Sequence, residues 1–232
     1  MEFTPQNTQR TFKKLNLIEN IRNNIVRKLP GVKSWSRMAV KSIQSGSKSN
    51  DRIIDYQKLS SEEKVKNMKK AAVLVCFFKK NNELFFPLIR RPMHEKNHPG
   101  QIALPGGSME KNENLETTAL REAFEEVGIN PKSVNIIGRM TPLPVPVSKY
   151  LIYPFVGVTN TEPEWKLNDK EVDELIIMSF NELINSDNGY SEKWEYKENP
   201  IRVPIFKVSN VEIWGATAAV LSELIDLSKS SN

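Results

Sequence analysis

Ala71 to Phe78 (AAVLVCFF) is a near-continuous apolar run of strand length. Lys79-Lys80-Asn81-Asn82 then carries a turn signal and Leu84 to Ile89 returns, which predicts a hairpin. From Leu115 to Val127 the period changes. Leu115, Ala119, Leu120, Ala123 and Val127 recur at helical spacing and leave one face to bury. Upstream, Leu17, Ile18, Ile21 and Ile25 line another helix face, opened by the capping pair Asn16 and Glu19 and stopped at Leu29-Pro30-Gly31. Trp35, Met38, Ala39 and Val40 predict a short packed element, and Leu59 to Met68 a short helix or lead-in.

Shorter strands are expected at Gln101 to Leu104, Asn135 to Met140, Tyr150 to Thr159, Leu175 to Met178 and Val203 to Phe206. Phe180 to Ile184 reads as a short helix, and Ile213-Trp214-Gly215-Ala216-Thr217 leads into a last helix ending near Leu227. Between these elements, Gln44 to Asn50 is a Ser, Gly and Lys-rich loop. Leu143 to Ser148 is too proline-rich for a central strand, and Asn185 to Asn199 reads as a polar insertion holding Trp194 and Tyr196.

With 39% hydrophobic and 26% charged residues over 232 positions, the composition is that of a globular protein. Cys76 is the lone cysteine, which excludes an internal disulfide and a cysteine-based metal cluster. No apolar stretch reaches membrane-spanning length and Met1-Glu2-Phe3-Thr4 does not begin a signal peptide, so a cytoplasmic protein is expected. The net charge of +5 is uneven: residues 1–70 hold 16 Lys+Arg against 6 Asp+Glu, and the remainder 17 against 22. Such a basic arm suits nucleic acid or a polyanionic small molecule. It lacks an aromatic stacking pattern and a metal-finger spacing, so nucleic acid is not the expected partner. The basic N-terminal helix could touch a membrane surface, but packing on its own domain or a second subunit is the expected use.

The helix at Leu115 to Val127 carries Glu122, Glu125 and Glu126 opposite its apolar stripe. Carboxylates three and four apart repel by a few tenths of a kcal/mol per pair, and the helix C-terminus disfavours anions. A cluster placed against both preferences suits a hard divalent cation, which takes oxygen ligands and substrate phosphates. Arg121 stands four residues before Glu125 and can steady it, and Gly128 can end the helix at positive φ.

This segment resembles the Nudix box, G-x5-E-x7-R-E-U-x-E-E-x-G-U, with U a bulky aliphatic residue. Gly107, Glu113, Arg121, Glu122, Glu125, Glu126, Gly128 and Ile129 stand on matching positions; Ala123 at the first U is the soft departure. The resemblance implies hydrolysis of a nucleoside diphosphate linked to another moiety, with Mg²⁺ or Mn²⁺ as cofactor. It implies Glu122, Glu125 and Glu126 as metal ligands or base, oriented by Arg121 and Glu113. Gly106 is expected at the metal site too, where the Pro105-Gly106-Gly107 turn permits close backbone approach.

Pro87 to Gly107 (PLIRRPMHEKNHPGQIALPGG) is similar to a second signature, found upstream of the box in coenzyme A pyrophosphatases: L-L-T-x-R-[SA]-x3-R-x3-G-x3-F-P-G-G. Leu88, Arg91, Gly100, Pro105, Gly106 and Gly107 match it; Pro87, Ile89, Pro92, Lys96 and Leu104 depart. Lys96 keeps the charge but loses bidentate phosphate geometry. Arg90, Arg91 and Lys96 are the expected phosphate-binding cations. Ser148 and the strand beginning at Tyr150 look like the family's PPxS-then-PFVG pattern, which puts Ser148 and Tyr150 at the border of the substrate; for Ser148 a turn role is the alternative. Glu171-Val172 aligns with an EV pair before a strand, so Glu171 is a further metal contact or base, or else a surface acid.

The expected fold is α/β, a Nudix-type α/β/α sandwich around a mixed sheet over residues 67–228. A basic, partly helical extension (1–66) would precede it and a disordered tail (229–232) follow. For coenzyme A, the products implied are 3′,5′-ADP and 4′-phosphopantetheine. ADP-ribose or another nucleoside diphosphate derivative is the alternative substrate, and a non-catalytic nucleotide- or RNA-binding module the alternative class. A homodimer is compatible with the sequence.

Overall fold

A computed structural model describes residues 17–43, 58, 61–95, 98–186, 190–196 and 199–230. Asn16, Leu59, Lys96, the loop at 44–50 and the final residues 231–232 lie outside the described residues. In chain order, the first elements are α1 (17–27), α2 (Val32–Trp35), β1 (Lys41–Ser42), α3 (Glu62–Val65), β2 (Lys69–Lys80) and β3 (Glu83–Arg90). Next come β4 (Ile102–Ala103), β5 (Gly106–Ser108), α4 (Leu115–Val127), β6 (Asn135–Arg139), β7 (Leu143–Val145) and β8 (Tyr150–Val158). The last are β9 (Glu174–Ser179), α5 (Phe180–Asn185), β10 (Ser191–Tyr196), β11 (Asn199–Pro204), β12 (Phe206–Val208), β13 (Val211–Ile213) and α6 (Gly215–Ser228).

The apolar run became β2, the centre of an 8-stranded mixed sheet. Asn81 and Asn82, at φ 50° and 60°, turn it into β3. Two successive left-handed residues match the twist of a tight hairpin, and asparagine tolerates that region better than most residues. Along one edge of β2, β8 runs parallel from Lys69↔Tyr150 to Phe77↔Val158. The other edge is shared, with β5 taking Ala71 to Val73 and β3 taking Phe78 to Lys80.

Two prolines sit inside these strands at positions where a partner changes. Beside Pro154 in β8, β7 pairing stops at Ile152 and β6 pairing begins at Phe155. Beside Pro87 in β3, β2 pairing stops at Phe85 and β4 pairing begins at Ile89. A residue without an N–H is tolerated where one side of the ladder is interrupted.

Period-two alternation sorts β2 between two cores. Ala72, Leu74 and Cys76 pack in one cluster with Ala119, Ala123 and Val127 of α4. Val73, Val75 and Phe77 join the other with Ala218, Leu221 and Leu224 of α6. Ala123, fully buried where the box has a bulky residue, lets α4 lie close against the strand.

The described part of the N-terminal extension is built into this second core. Ile21, Trp35 and Met38 are buried there. Asn20 and Asn24 donate to the Ser228 and Leu227 carbonyls, each at 2.9 Å, and so serve the last turn of α6. Gly138 makes room for α1, since a Cβ there would lie 2.4 Å from Ile25 Cγ2. On α6, Glu223 is fully buried and accepts from Gly31 N (3.1 Å), Trp35 Nε1 (3.2 Å) and Thr141 Oγ1.

The segment read as a polar insertion contains a strand. β10 pairs with β11 along its whole length, and β1 completes a three-stranded sheet. Its mostly polar side chains are half-buried or exposed, so no apolar alternation marked it; Trp194 packs edge-on to Trp214 at 4.8 Å. The run from Val203 to Phe206 is likewise divided at Ile205 between β11 and β12. No described helix is long and apolar enough to cross a membrane.

Candidate active site

Both ends of α4 are set by local chemistry. Asn114 caps the start by accepting from Thr117 N at 2.9 Å. At the other end Gly128 has φ 81°, with Gly128 N–H to Phe124 O (2.9 Å) and Ile129 N–H to Ala123 O (3.2 Å). That pair of bonds is a Schellman stop, which requires the left-handed residue.

Strand β5 then comes up against the helix. Gly106 N–H donates to Glu126 Oε2 at 2.8 Å. A Cβ on Gly107 would lie 2.4 Å from the Glu122 carboxyl carbon, so any side chain there displaces that carboxylate. A Cβ on Gly106, at φ 156°, would instead meet the Ala72 carbonyl at 2.3 Å. The two adjacent glycines therefore serve different ends, one protecting the strand pairing and the other the carboxylate.

Arg121 ties the helix to the loop before it. Its Nε and Nη2 engage both Glu113 oxygens (2.9 and 3.2 Å), and Nη2 also donates to the Ser108 carbonyl at 3.2 Å. Nη1 reaches Glu125 Oε2 at 2.8 Å and Glu122 Oε1 at 3.0 Å. Glu113 accepts further bonds from Thr118 Oγ1 and Glu110 N. Arg121, helped by those donors, holds the Glu113 carboxyl well below the usual range, at about 2. Glu113 in turn raises the affinity of Arg121 for its proton.

Three carboxylates converge. Single oxygens of Glu122, Glu126 and Glu171 all lie within 4.8 Å of one another. Glu122 and Glu126 share a face because they are one helical turn apart. Glu171 arrives on a loop fastened to the end of α4, where Lys166 N–H bonds Val127 O (3.1 Å) and Asn168 N–H bonds Glu126 O (3.0 Å). Val172, next in sequence, is buried in the α4 core and pins the loop from the other side.

Burial shapes the charges. Glu126 is 4% exposed, and burial pushes its carboxyl up to about 8, against the pull of the Gly106 N–H. Glu122 adds to that rise, Arg91 opposes it, and Glu171 adds a smaller push. Glu122 is also raised, by burial first, with Arg121 opposing. A nearly buried carboxylate with one N–H partner, facing two more carboxylates, suits a hard cation that prefers oxygen donors. The donor set fits Mg²⁺ or Mn²⁺.

The other expected site residues divide. Glu125 is turned to the surface in its Arg121 pair and lies outside the three-carboxylate cluster. Gly106 is present through its N–H to Glu126. Arg91 is close enough for its charge to act on Glu126; its Nη2 pairs with Glu95, while its Nε is buried without a hydrogen-bond partner among the described residues. Arg90 is exposed and occupied by Glu174, its cross-strand neighbour, at 2.7 Å. Ser148 makes a long turn bond to Val145 O (3.5 Å), and Tyr150 OH meets Ser108 Oγ at 2.8 Å. The roles of Ser108 and of Gly107 against Glu122 were not legible beforehand; the doubled glycine was the available signal.

The NUDIX domain family model matches residues 68–199. The chain is 36% identical over 138 residues to an uncharacterized Nudix hydrolase, NudL, of Pectobacterium atrosepticum, covering 59% of this chain and 71% of that one. It is 30% identical over 161 residues to its namesake in an Enterobacter species, covering 69% and 83%. A MutT protein from Methanosarcina mazei superposes with a TM-score of 0.44 at 18% identity, over 68% of this chain and 92% of that one. That overlap is too slight to add weight, and the assignment rests on the sequence matches. On the matched domain and the relatives that share it, this chain belongs to the Nudix hydrolase family.

Proposed function

We propose that this Nudix pyrophosphohydrolase cleaves the pyrophosphate of coenzyme A or its derivatives, using Mg²⁺ or Mn²⁺ held by Glu122, Glu126 and Glu171. Water adds to one phosphorus, the bridging P–O bond breaks, and two phosphomonoesters leave: 3′,5′-ADP and 4′-phosphopantetheine. The observation that carries the metal-dependent chemistry is the convergence of those three carboxylates within 4.8 Å. When bound, the cation supplies charge that neutralises phosphate oxygens and stabilises the leaving group.

The chain's own groups do the rest. Gly106 N–H orients Glu126, and the missing side chain of Gly107 leaves Glu122 in place. Arg121 keeps Glu113 ionised, pairs with Glu125 and ties β5 to the helix. Glu125 would join the set only by leaving its exposed ion pair, a contact worth about 0–1 kcal/mol. Glu171, the exposed member, would be the one to pass a proton to solvent. Arg91, with an unpaired Nε beside the cluster, is the cation best placed for the diphosphate.

The resemblance of Pro87 to Gly107 to the coenzyme A signature supports that substrate. Its departures at Pro87, Ile89, Pro92, Lys96 and Leu104 favour keeping ADP-ribose as the second reading. Turnover of coenzyme A, dephospho-coenzyme A and ADP-ribose with each metal decides between them. Coenzyme A should be hydrolysed fastest, and equal turnover of the three would reject the assignment.

A further inference from the structure

We infer that the open cleft of about 380 Å³ lined by Lys69, Lys70, Ser108, Met109 and Tyr150 is a binding site for a phosphomonoester on the substrate, remote from the scissile pyrophosphate. This rests on the pyrophosphohydrolase reading and adds a second anion site to it.

Of the cations expected to hold substrate phosphates, Arg90 is paired with Glu174, and Arg91 lies beside the carboxylate cluster, where it serves the scissile diphosphate. Lys69 and Lys70 are exposed and form no ion pair among the described residues. They begin β2, where Lys69 lies opposite Tyr150 in the parallel register. Backbone bonds hold the rim, with Lys69 N–H to Lys149 O (2.9 Å) and Met109 N–H to Lys70 O (3.0 Å). The Ser108 and Tyr150 hydroxyls are 2.8 Å apart, and whichever accepts in that bond keeps its own proton to donate outward. By strand alternation Lys69 stands on the Tyr150 side of β2 and Lys70 on the other, so the Lys69 ammonium and a hydroxyl donor, with Lys70 at the rim, match a dianion with several acceptor oxygens.

The cleft is joined to the catalytic cluster through β5. Gly107 abuts Glu122, the Ser108 carbonyl takes the Arg121 bond, and Ser108 and Met109 line the cleft. A strand advances roughly 3.3 Å per residue, so the two sites lie within one nucleotide's reach. Ser108 points to the opposite face of β5 from Gly107. Among the described residues β5 pairs only with β2, so it is an edge strand between the two sites.

The test compares binding of adenosine 3′,5′-bisphosphate and AMP to the metal-free full chain and to the Lys69→Ala/Lys70→Ala variant, by calorimetry. The bisphosphate should bind the parent protein about tenfold tighter than AMP, and the variant should lose that gain while melting at the parent's temperature. Equal affinities in the parent, or a gain kept in the variant, would overturn the site. Lys70→Glu guards against a weak alanine effect by making the bisphosphate the poorer ligand of the two. Inorganic phosphate separates the sources: lysine-dependent phosphate binding that leaves the bisphosphate gain intact would mark a free-anion site and refute the substrate assignment. Failure of coenzyme A turnover with a lysine-dependent gain intact would reject only the coenzyme A reading.

Discussion

Glu126 on α4 and Glu223 on α6 are both buried carboxylates on helices that cover opposite faces of the central sheet. Burial raises the pKa of each. Their surroundings differ in one respect. Glu223 faces donors: Gly31 N–H, the Trp35 indole and the Thr141 hydroxyl. Glu126 has one N–H, from Gly106, and otherwise faces Glu122 and Glu171. A carboxylate has about four lone-pair sites, and Glu126 uses one of them. Burial and a raised pKa therefore do not identify a functional acid. Unused acceptor capacity aimed at other acids does.

Substitutions should separate the two. Glu126→Gln should lower hydrolysis by about 10²- to 10³-fold, the several kcal/mol a metal contributes to the transition state. The urea midpoint should stay put or rise, because a costly buried charge is gone. An active Glu126→Gln protein would remove the contrast. Glu223→Ala should do the reverse, costing about 2–4 kcal/mol of stability as buried donors lose their acceptor, with kcat of the folded protein little changed. Chemical unfolding alongside single-turnover assays reads both quantities, and a selective loss of kcat would make Glu223 functional. The smallest effect concerns Glu113, a third carboxylate with its oxygens occupied. With its pKa depressed to about 2, the folded protein binds fewer protons than the unfolded chain between about 2 and 4.5. Its contribution is thus complete above about 4.5 and is lost as pH falls toward 2. Glu113→Gln should flatten the stability profile in that window, and unchanged acid unfolding would sink the claim.

The legible parts of this protein were those set by near neighbours in sequence. Asn114, Arg121 and Gly128 act within a few residues, so the helix, its ends and its acidic face could be read directly. The β2–β3 hairpin followed from one apolar run and a short polar turn. What escaped was tertiary. Glu122, Glu125 and Glu126 were equivalent on paper, yet Arg121 draws Glu125 to the surface; Glu171 was named, with a surface acid as the alternative, and stands in the cluster. β10 carries no apolar alternation because neither of its faces is fully buried, and its ladder to β11 holds it. Arg90 was expected to bind phosphate, and only the strand register shows that it has a cross-strand acid, Glu174.

The loop that carries Glu171 is fastened to α4 by main-chain groups, Lys166 N–H and Asn168 N–H on the Val127 and Glu126 carbonyls. No exchange of side chains short of proline deletes such bonds. Leu167, Asp169 and Lys170 are exposed between the fastenings and the acid, so they are free to drift while Glu171 keeps its address. The same loop is a natural graft point, where new recognition residues can be added without retuning the catalytic acids.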